Sequence, residues 1–400
     1  MEQNERETKR RRALKEKYLS TFGKYPEALI SSPGRSEIIG NHTDHQCGCV
    51  ITSAVNIDIL SACGARGDMT VCIHSEGFAP FSIDISDTAP IIGERGQTAA
   101  LVRGVAFRLS EAGHKIGGFN AAVVSDVASG SGLSSSAAVE NLIVKIFCVL
   151  FGNELSPLEA ALISKAAEND YFGKPCGLED QLSSALGGIN FIDFADLNNP
   201  VIRPVNADFA DFGHRLVITH TGKSHHDLTD DYSKITEEMG NVSRFFGVKY
   251  LRQVNEETFF GKLSEVKRVC GERAALRAIH FFAENKRSNS AACALEEGRF
   301  DEFLRLVRES GQSSFMYLQN VYSPADAESQ GLSLALALSG VILGKAGAYR
   351  VHGGGFAGTI SAIVPESLCG EYIGRMEGVF GVDSCKMLTV RREGPVELPL

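Results

Sequence analysis

The chain lacks the features that mark membrane proteins and nucleic-acid-binding proteins. No apolar run in its 400 residues reaches the length of a membrane span, so a membrane protein is not expected. Acidic side chains outnumber basic ones by 49 to 40, and the net charge of −9 argues against a nucleic-acid-binding surface. We found no internal repeat and no low-complexity segment. With 44% hydrophobic and 22% charged residues, the composition is that of an ordinary soluble globular protein.

A secretion signal and a zinc-binding motif are also missing from the sequence. The basic patch at 9–12 is interleaved with glutamates, and no apolar segment follows it, so we expect the solvated face of a first helix and not a signal peptide. The ten cysteines are scattered, which favours free thiols in a reducing compartment and a cytoplasmic location. Cys47 and Cys49 form one close pair, but no second Cys/His pair has zinc-site spacing.

The length and the order of the predicted elements indicate two domains of the α+β class. A single core rarely grows to 400 residues. Strand patterns dominate residues 25–125, and their irregular alternation with helices lacks the regular βαβ rhythm of a doubly wound fold. The expected domains are 1–205 and 206–400. Helices are predicted at about 5–22, 98–112, 137–150, 157–171, 263–287, 289–297 and 300–310.

A glycine- and serine-rich loop at 129–138 is the most informative segment of the sequence. It follows the strand-like run 121–124 and precedes a helical pattern, so free N–H groups and a helix dipole predict an anion site. Its glycines allow close approach of a ligand, and its hydroxyls can donate to phosphate or bind Mg²⁺. No lysine follows the glycines, so this is not the P-loop motif. The alternative is a flexible linker, which the patterned flanking elements disfavour.

The segment 33–45 has several kinds of hydrogen-bonding side chain and predicts a site for a polyhydroxylated ligand. Asp44 can accept from two vicinal hydroxyls, whereas Asn41 and His42 can donate. A metal site formed by His42, Asp44 and His45 is a weaker alternative, because those side chains do not share one face of a strand. A polar turn that satisfies its own backbone is the other alternative.

A sharp bend at 174–181 has two candidates for a general base. Pro175 and Gly177 fix the bend, and a carboxylate beside a hydroxyl can remove its proton. Asp180 and Glu179 both qualify, and on strand geometry only one of them would face a cleft. A cap or turn residue is the alternative role.

Glu168, on the helix before this bend, is a candidate magnesium ligand. Mg²⁺ binds few protein oxygens, often those of a carboxylate and a hydroxyl, so Glu168 and Ser136 could provide its protein ligands. Taken alone, Glu168 is most simply a solvent-facing helix residue.

Taken in order, these motifs resemble the galactokinase branch of the GHMP small-molecule kinases. The resemblance covers nearly the whole chain, and its motifs lie at 34–44, 130–138, 175–181 and 353–358. It implies a two-domain architecture with the active site in the interdomain cleft. It also implies phosphorylation of the anomeric C1 hydroxyl of galactose, with ATP as co-substrate and Mg²⁺ as cofactor. The expected partners are the sugar and ATP, and the chain is expected to be a monomer or a weak oligomer.

The resemblance implies roles for individual residues. By position in the motifs, Asp180 corresponds to the family's catalytic base and Arg35 to its transition-state stabiliser. Ser136 and Glu168 correspond to its metal ligands. The expected nucleotide contacts are Gly130, Ser131, Gly132, Leu133, Ser134, Ser135 and Ser136. The expected sugar contacts are Asn41, His42, Thr43, Asp44, Gly177 and Tyr232.

The sequence departs from the galactokinase pattern at Asn41, Glu179 and His352, where Glu, an apolar residue and Thr are usual. A neutral Asn41 would tolerate a C6 carboxylate, so galacturonate or another modified galactose is the alternative substrate. If Glu179 points inward, we expect it to raise the pKa of the base. A non-catalytic sugar-binding regulator is less favoured, because the residues on the catalytic positions are all present.

Overall fold

The computed structural model describes residues 2–127, 132–222 and 229–400, so the predictions for Gly130 and Ser131 lie outside the described residues. The helices of the described ranges are α1 (Glu2–Phe22), α2 (Thr98–Glu111), α3 (Ser135–Phe151), α4 (Pro157–Ala166), α5 (Glu179–Leu186), α6 (Thr229–Phe245), α7 (Glu256–Gly261), α8 (Leu263–Cys270), α9 (Glu272–Glu296), α10 (Phe300–Ser313), α11 (Gly331–Leu343) and α12 (Cys369–Phe380). The strands are β1 (Ala28–Ile39), β2 (Cys49–Ala65), β3 (Thr70–Ser75), β4 (Phe81–Asp84), β5 (Phe119–Ser125), β6 (Ile189–Asp193), β7 (Val201–Val205), β8 (His214–His220), β9 (Ala348–His352), β10 (Thr359–Pro365), β11 (Cys385–Leu388) and β12 (Val396–Leu398).

The described strands form two sheets with helices packed on them, which confirms the α+β class. The larger sheet has the order β12-β1-β2-β5-β3-β4, with β6 paired to β2 and β7 to β6. Its β3–β5 pair is parallel, and its other pairs are antiparallel. The smaller sheet has the antiparallel order β11-β8-β10-β9.

The predicted boundary at 205/206 falls between β7, in the larger sheet, and β8, in the smaller one. The chain nevertheless returns to the larger sheet at its end, because β12 pairs with β1 through Leu398 opposite Leu29. The larger sheet therefore contains residues from both predicted parts. The division into domains 1–205 and 206–400 stays a prediction.

Strand β1 places charged side chains in the interior of the protein. The strand is buried along its whole length, including Arg35 and Glu37. Its pairing with β2 shifts register twice, between Pro33 and Arg35 and between Glu37 and Ile39. Such irregularities re-aim side chains and are frequent beside active sites. Since buried charges are costly unless they are paired, both residues need partners from other elements.

Several predicted elements are correct and others need correction. The helices predicted at about 98–112, 137–150 and 300–310 are present, within one to three residues at each end. The helix predicted at 263–287 is broken at Gly271, whose φ of +94° favours glycine, and α9 then continues through the segment predicted as a separate helix. After α4 the chain changes to a π-helical turn at Ala167–Phe172. The strand geometry assumed for the candidate base was wrong, because it lies in the first turn of α5.

The structure also bears on two expectations about the chain as a whole. All ten cysteines are free, as their scatter predicts. Within the described ranges, no helix combines the length and the apolar character that crossing a bilayer requires.

Candidate active site

Asp180 lies at the centre of a hydrogen-bonded cluster that joins three distant segments of the chain. From β1, Arg35 donates through Nε to Asp180 Oδ1 at 2.8 Å, and its Nη2 lies 2.6 Å from the same oxygen. The Ser134 hydroxyl donates to Asp180 Oδ2 at 2.6 Å. Arg35 Nη1 also donates to the carbonyl of Gly132 at 2.5 Å. The predicted base, the predicted stabilising cation and the glycine loop are therefore in direct contact.

The surroundings of Asp180 hold it as a carboxylate. Burial opposes its ionisation, but the guanidinium of Arg35 and the hydrogen bond from Ser134 outweigh burial and lower the pKa of Asp180. This net lowering does not test the separate contribution expected from Glu179, which stays a prediction. The Asp180 side chain is 38% exposed whereas that of Arg35 is 7% exposed, so the carboxylate can still meet a ligand. An ionised carboxylate open on one side can accept a proton from a bound hydroxyl.

The described part of the glycine loop has the geometry of an anion site. Gly132 has φ +73°, and a Cβ there would come within 2.6 Å of His352 Nδ1, so only glycine fits. Among the described residues, no side-chain hydrogen bond caps the start of α3, which Ser135 and Ser136 begin, so the first N–H groups of this helix are candidates for binding an anion. Leu133 is buried as a whole residue and belongs to the core, and its carbonyl accepts from the backbone N–H of Arg35, so the structure does not support it as a nucleotide contact.

Asn41 and Thr43, two of the predicted sugar contacts, are engaged by the protein itself. Asn41 is 1% exposed, and its Nδ2 donates to the Gly353 carbonyl at 2.8 Å and to Glu37 Oε1 at 3.1 Å. Its Oδ1 accepts from Asn320 Nδ2 at 2.7 Å. The buried Thr43 hydroxyl lies 2.9 Å from two backbone carbonyls, those of residues 40 and 49. Both side chains hold the loop after β1 in place.

Asn41→Glu is expected to destabilise the protein. The new carboxylate would face Glu37 and the Gly353 carbonyl, which are both acceptors, so it would lose two hydrogen bonds and gain like-charge repulsion. We expect the free energy of unfolding to fall by about 2–4 kcal/mol in urea denaturation. Asn198→Glu, at an exposed position, is the matched control. A variant as stable as the parent and more selective for galactose would show instead that Asn41 faces the sugar C6.

The other predicted sugar contacts surround Asp44. A Cβ at Gly177 would overlap Asp44 Oδ2, so this close approach requires glycine. The His42 ring stacks on the Tyr232 ring at 6.4 Å between centroids, and its Nε2 lies 2.9 Å from the Gly354 carbonyl. Burial and the neighbouring Asp180 raise the pKa of Asp44 to about 6.

Tyr232 connects this group to the second glycine loop at 353–358. Its hydroxyl donates to the Gly355 carbonyl at 2.9 Å, and its ring packs edge-on against Phe356. The predicted contacts His42 and Tyr232 therefore lie next to the glycine loop near the C-terminus.

Glu168 is buried at 2% exposure, which excludes the interpretation of a solvent-facing helix residue. Its Oε1 lies 3.1 Å from Lys174 Nζ, and its Oε2 accepts from Gln181 Nε2 at 2.7 Å. Gln181 Nε2 also lies 3.1 Å from Glu140, whose buried Oε1 has no hydrogen-bond partner in the described ranges. Two buried carboxyl groups thus accompany one lysine, and burial beside Glu168 raises the pKa of Glu140 well above its usual range. A cation bound here would give the unpartnered Glu140 oxygen a partner.

The arrangement fits Mg²⁺ better than a metal held by a full protein cage. In the part of the chain that the structure describes, no group of three or more His, Cys, Asp or Glu side chains could hold a metal ion. The metal site suggested by His42, Asp44 and His45 is therefore not supported. Mg²⁺ keeps water and phosphate ligands and needs only one or two protein oxygens, so Glu168 with Ser136 remains compatible with it.

Sequence reasoning missed two buried contacts that organise the site. Arg350 on β9 is 0% exposed and pairs with Glu37 at 2.5 Å. His352 Nε2 lies 2.9 Å from the Ser36 hydroxyl, so the departure at this position also joins β9 to β1. In the sequence, Arg350 stands out only as a charged residue among apolar ones, and His352 only as a departure from the galactokinase pattern. Neither observation identifies a partner.

Comparisons with known proteins agree with this geometry. The model of the GHMP kinases N terminal domain matches residues 100–188, and that of the galactokinase galactose-binding signature matches residues 16–65. The structure of Lactococcus lactis galactokinase complexed with galactose has a TM-score of 0.82 and 25% identity, and the match covers 96% of this chain and 99% of that one.

Two more distant structures share the fold. Methanococcus jannaschii mevalonate kinase has a TM-score of 0.64 and 14% identity over 91% of this chain and 98% of that one. Streptococcus pneumoniae phosphomevalonate kinase has a TM-score of 0.62 and 12% identity over 92% of this chain and 100% of that one. With the two family matches, these findings confirm the resemblance drawn from the motifs: residues 100–188 match the GHMP kinases N terminal domain, residues 16–65 match the galactokinase galactose-binding signature, and the chain shares the fold of Lactococcus lactis galactokinase.

Proposed function

We propose that the protein transfers the γ-phosphoryl group of ATP to the anomeric C1 hydroxyl of galactose, which yields galactose 1-phosphate. The observation that carries this proposal is the Asp180 carboxylate, held by Arg35 and Ser134 where the glycine loop meets the sugar motif. Phosphoryl transfer depends mainly on positioning and charge neutralisation, and this cluster supplies both.

Asp180 is the proposed base. It accepts the proton of the C1 hydroxyl as that oxygen bonds to phosphorus. Arg35 is the proposed stabiliser of the transferred group, because a guanidinium keeps its charge at all relevant pH values and presents its donors in a fixed fork. Its hydrogen bonds to Asp180 and to the Gly132 carbonyl hold it between the base and the glycine loop.

The start of α3 is the proposed phosphate site. The N–H groups around Gly132 and Ser134–Ser136 would bind phosphate oxygens, assisted by the positive end of the helix dipole. Ser136 and Glu168 would hold Mg²⁺, which when bound neutralises negative charge on the phosphates.

The sugar is proposed to bind between the loop after β1 and the second glycine loop, in a cleft between the parts 1–205 and 206–400. Asp44 is ionised above about pH 6 and would accept from sugar hydroxyls. Gly177 leaves room for its carboxylate, and His42 and Tyr232 lie on the other side. Asn41 and Thr43 would act by holding the loop.

The alternatives weighed from the sequence receive less support. The argument from Asn41 for a galacturonate kinase needed its amide to face C6, but that amide is hydrogen-bonded to Glu37, Gly353 and Asn320. A non-catalytic regulator would not need the base and its paired arginine in contact at 2.6–2.8 Å.

A substrate panel tests the proposal. Purified protein with Mg-ATP would be given galactose, galacturonate, N-acetylgalactosamine and arabinose, and kcat/KM compared. We expect the highest value for galactose, with galactose 1-phosphate identified by phosphorus NMR. A higher value for galacturonate would contradict the choice of sugar. Galactose binding without turnover of any sugar would favour the regulator.

Asp44→Asn is expected to stabilise the free protein at neutral pH while weakening galactose binding. The pKa of Asp44 is raised from 3.8 to about 6, so the folded state binds the proton more tightly than the unfolded state. The stability that this group contributes is therefore complete below pH 4 and is lost as the pH rises through 6. An asparagine avoids that loss, which we put at about 1–2 kcal/mol after solvent screening.

Urea denaturation at pH 7.5 and near pH 4 measures this effect, and calorimetry measures galactose affinity. The stability gain should be present at pH 7.5 and should shrink to a few tenths of a kcal/mol near pH 4. Glu328→Gln, an exposed acid, is the control and should change neither quantity. A gain that is equal at both pH values would contradict the charged origin of the effect.

A further inference from the structure

Glu179 is a buried acid that the mechanism above does not use. It begins α5 beside Asp180 and is 6% exposed. Its Oε1 is inaccessible to solvent and has no hydrogen-bond partner among the described residues. Leaving a buried polar atom unpaired costs about 1–3 kcal/mol. Native proteins leave few such atoms, so each one calls for a specific explanation.

The charges of the site leave Glu179 without a counter-ion. Arg35 pairs with Asp180 at 2.6 Å, and Arg350 pairs with Glu37 at 2.5 Å. In the ranges that the structure describes, neither Asp44 nor Glu179 has an ion-pair partner. The site therefore has two arginines for four acids. The two acids without an ion-pair partner among the described residues, Asp44 and Glu179, are neighbours.

The groups that face Glu179 determine which acid holds a proton. They are Glu37 and Arg35 on β1, Asp44 after β1, and Asp180 on α5. Two adjacent buried carboxyl groups without a cation do not both ionise. Asp44 is the more exposed of the two, and burial with the charges of Glu37 and Asp44 raises the pKa of Glu179 well above its usual range. Glu179 is accordingly the one that keeps its proton.

A purely structural role does not explain this residue. An acid in the first turn of a helix stabilises the helix dipole only when it is charged. An apolar side chain of similar size would fill the same buried volume without an unpaired oxygen. A protonated carboxyl group, by contrast, brings an O–H donor to a site where Asp44 and Asp180 can only accept.

We propose that Glu179 is a further substrate-binding residue, an uncharged carboxylic acid that donates a hydrogen bond to one hydroxyl oxygen of the sugar. The inference rests on the proposed sugar kinase function and narrows its substrate class. A sugar hydroxyl both accepts and donates, so it can accept from Glu179 and donate to Asp44. A uronate carboxylate cannot donate, and it would meet the negative charges of Asp44 and Asp180. The acids around Glu179 thus favour a neutral sugar over a uronate.

Two variants of Glu179 distinguish the effect of its hydrogen-bond donor from the effect of its side-chain volume. Glu179→Gln keeps the size and an N–H donor, and it should bind galactose within about 3-fold of the parent in calorimetry. Glu179→Leu removes the donor, and it should raise Kd and KM for galactose about 10-fold or more while kcat changes little. Thermal unfolding of both variants checks that they fold.

The five monodeoxy galactoses, which lack the hydroxyl at C1, C2, C3, C4 or C6, then locate the contact. Removal of one hydroxyl should weaken binding about 10-fold in the parent and much less in Glu179→Leu, because its partner is already gone. Parent-like galactose binding by Glu179→Leu, equal losses in the Gln and Leu variants, or additive losses for all five sugars would each overturn the inference.

These results test the role of Glu179 and the proposed sugar kinase function separately. If the parent phosphorylates galactose and Glu179→Leu binds it equally well, only the inference fails. If the binding pattern is as expected but the parent transfers no phosphoryl group, only the kinase proposal fails. If the parent binds no galactose, both fail.

Discussion

Asp180→Asn is expected to remove most phosphoryl transfer while galactose still binds. The amide keeps the size of the side chain, and its oxygen can still accept from Arg35, but it cannot take the C1 proton. Loss of a general base typically costs about 10²–10⁴ in rate, so we expect kcat to fall by at least about 10²-fold. Steady-state kinetics measures kcat, and calorimetry measures the galactose Kd, which should stay within about 5-fold.

Asp170→Asn is the matched control for this prediction. Asp170 lies in the π-helical turn after α4 with a side chain that is 51% exposed, and its ion pair with Arg108 is at the surface. Surface pairs contribute little, so the control should keep both kcat and stability. A kcat of Asp180→Asn within 10-fold of the parent would show that the base has been assigned wrongly.

Arg35→Lys and Arg35→Gln are expected to have the second largest effect. Arg35 uses Nε and Nη2 at Asp180 and Nη1 at the Gly132 carbonyl, a fork that a lysine ammonium cannot reproduce. We expect kcat of Arg35→Lys to fall about 10²-fold, as when a preorganised donor is lost. Arg35→Gln also removes the charge, so it should be slower still.

The pH dependence of Arg35→Gln gives a readout that a packing defect would not change. Burial favours the protonated form of Asp180, and Arg35 is the largest influence that opposes it. Without the cation the pKa of Asp180 should rise, because burial then acts unopposed by the guanidinium. Because activity requires the carboxylate, the acid limb of kcat/KM against pH should move to higher pH.

Arg305→Gln, at an exposed surface pair, is the control for the arginine variants. Breaking a buried pair is destabilising, so the thermal stability of each variant is measured beside its kinetics. A Lys variant with parental kcat, or a Gln variant whose acid limb has not moved, would contradict the role given to Arg35.

Local features of the fold were predictable because they depend on neighbours in the chain. Short segments of sequence were enough to identify the helical periodicity of 98–112 and 137–150. The same holds for the glycine and serine loop between a strand and a helix. The break at Gly271 was missed, because apolar periodicity continues on both sides of it. The π-helical turn after α4 gave no signal of its own.

The candidate site was predictable only in part. The motifs identified Asp180, Arg35 and the glycine loop, and in the structure Asp180, Arg35 and the described part of that loop are in contact. The motifs did not show that the Asn41 amide is used within the protein. Its partners Gly353 and Asn320 lie about 300 residues away in the sequence, and no local pattern connects them.

The sequence by itself determined which chemical groups are present: a strand–glycine loop–helix unit, a mixed polar segment after a buried strand, and adjacent acids at a bend. Only the tertiary structure distinguished the proposed base from the acid that we propose keeps its proton. The reason is that pKa values depend on burial and on charges within a few ångströms, and those neighbours come from distant segments. Arg35 reaches Asp180 and lowers its pKa, whereas Glu179 meets mainly other acids and stays protonated.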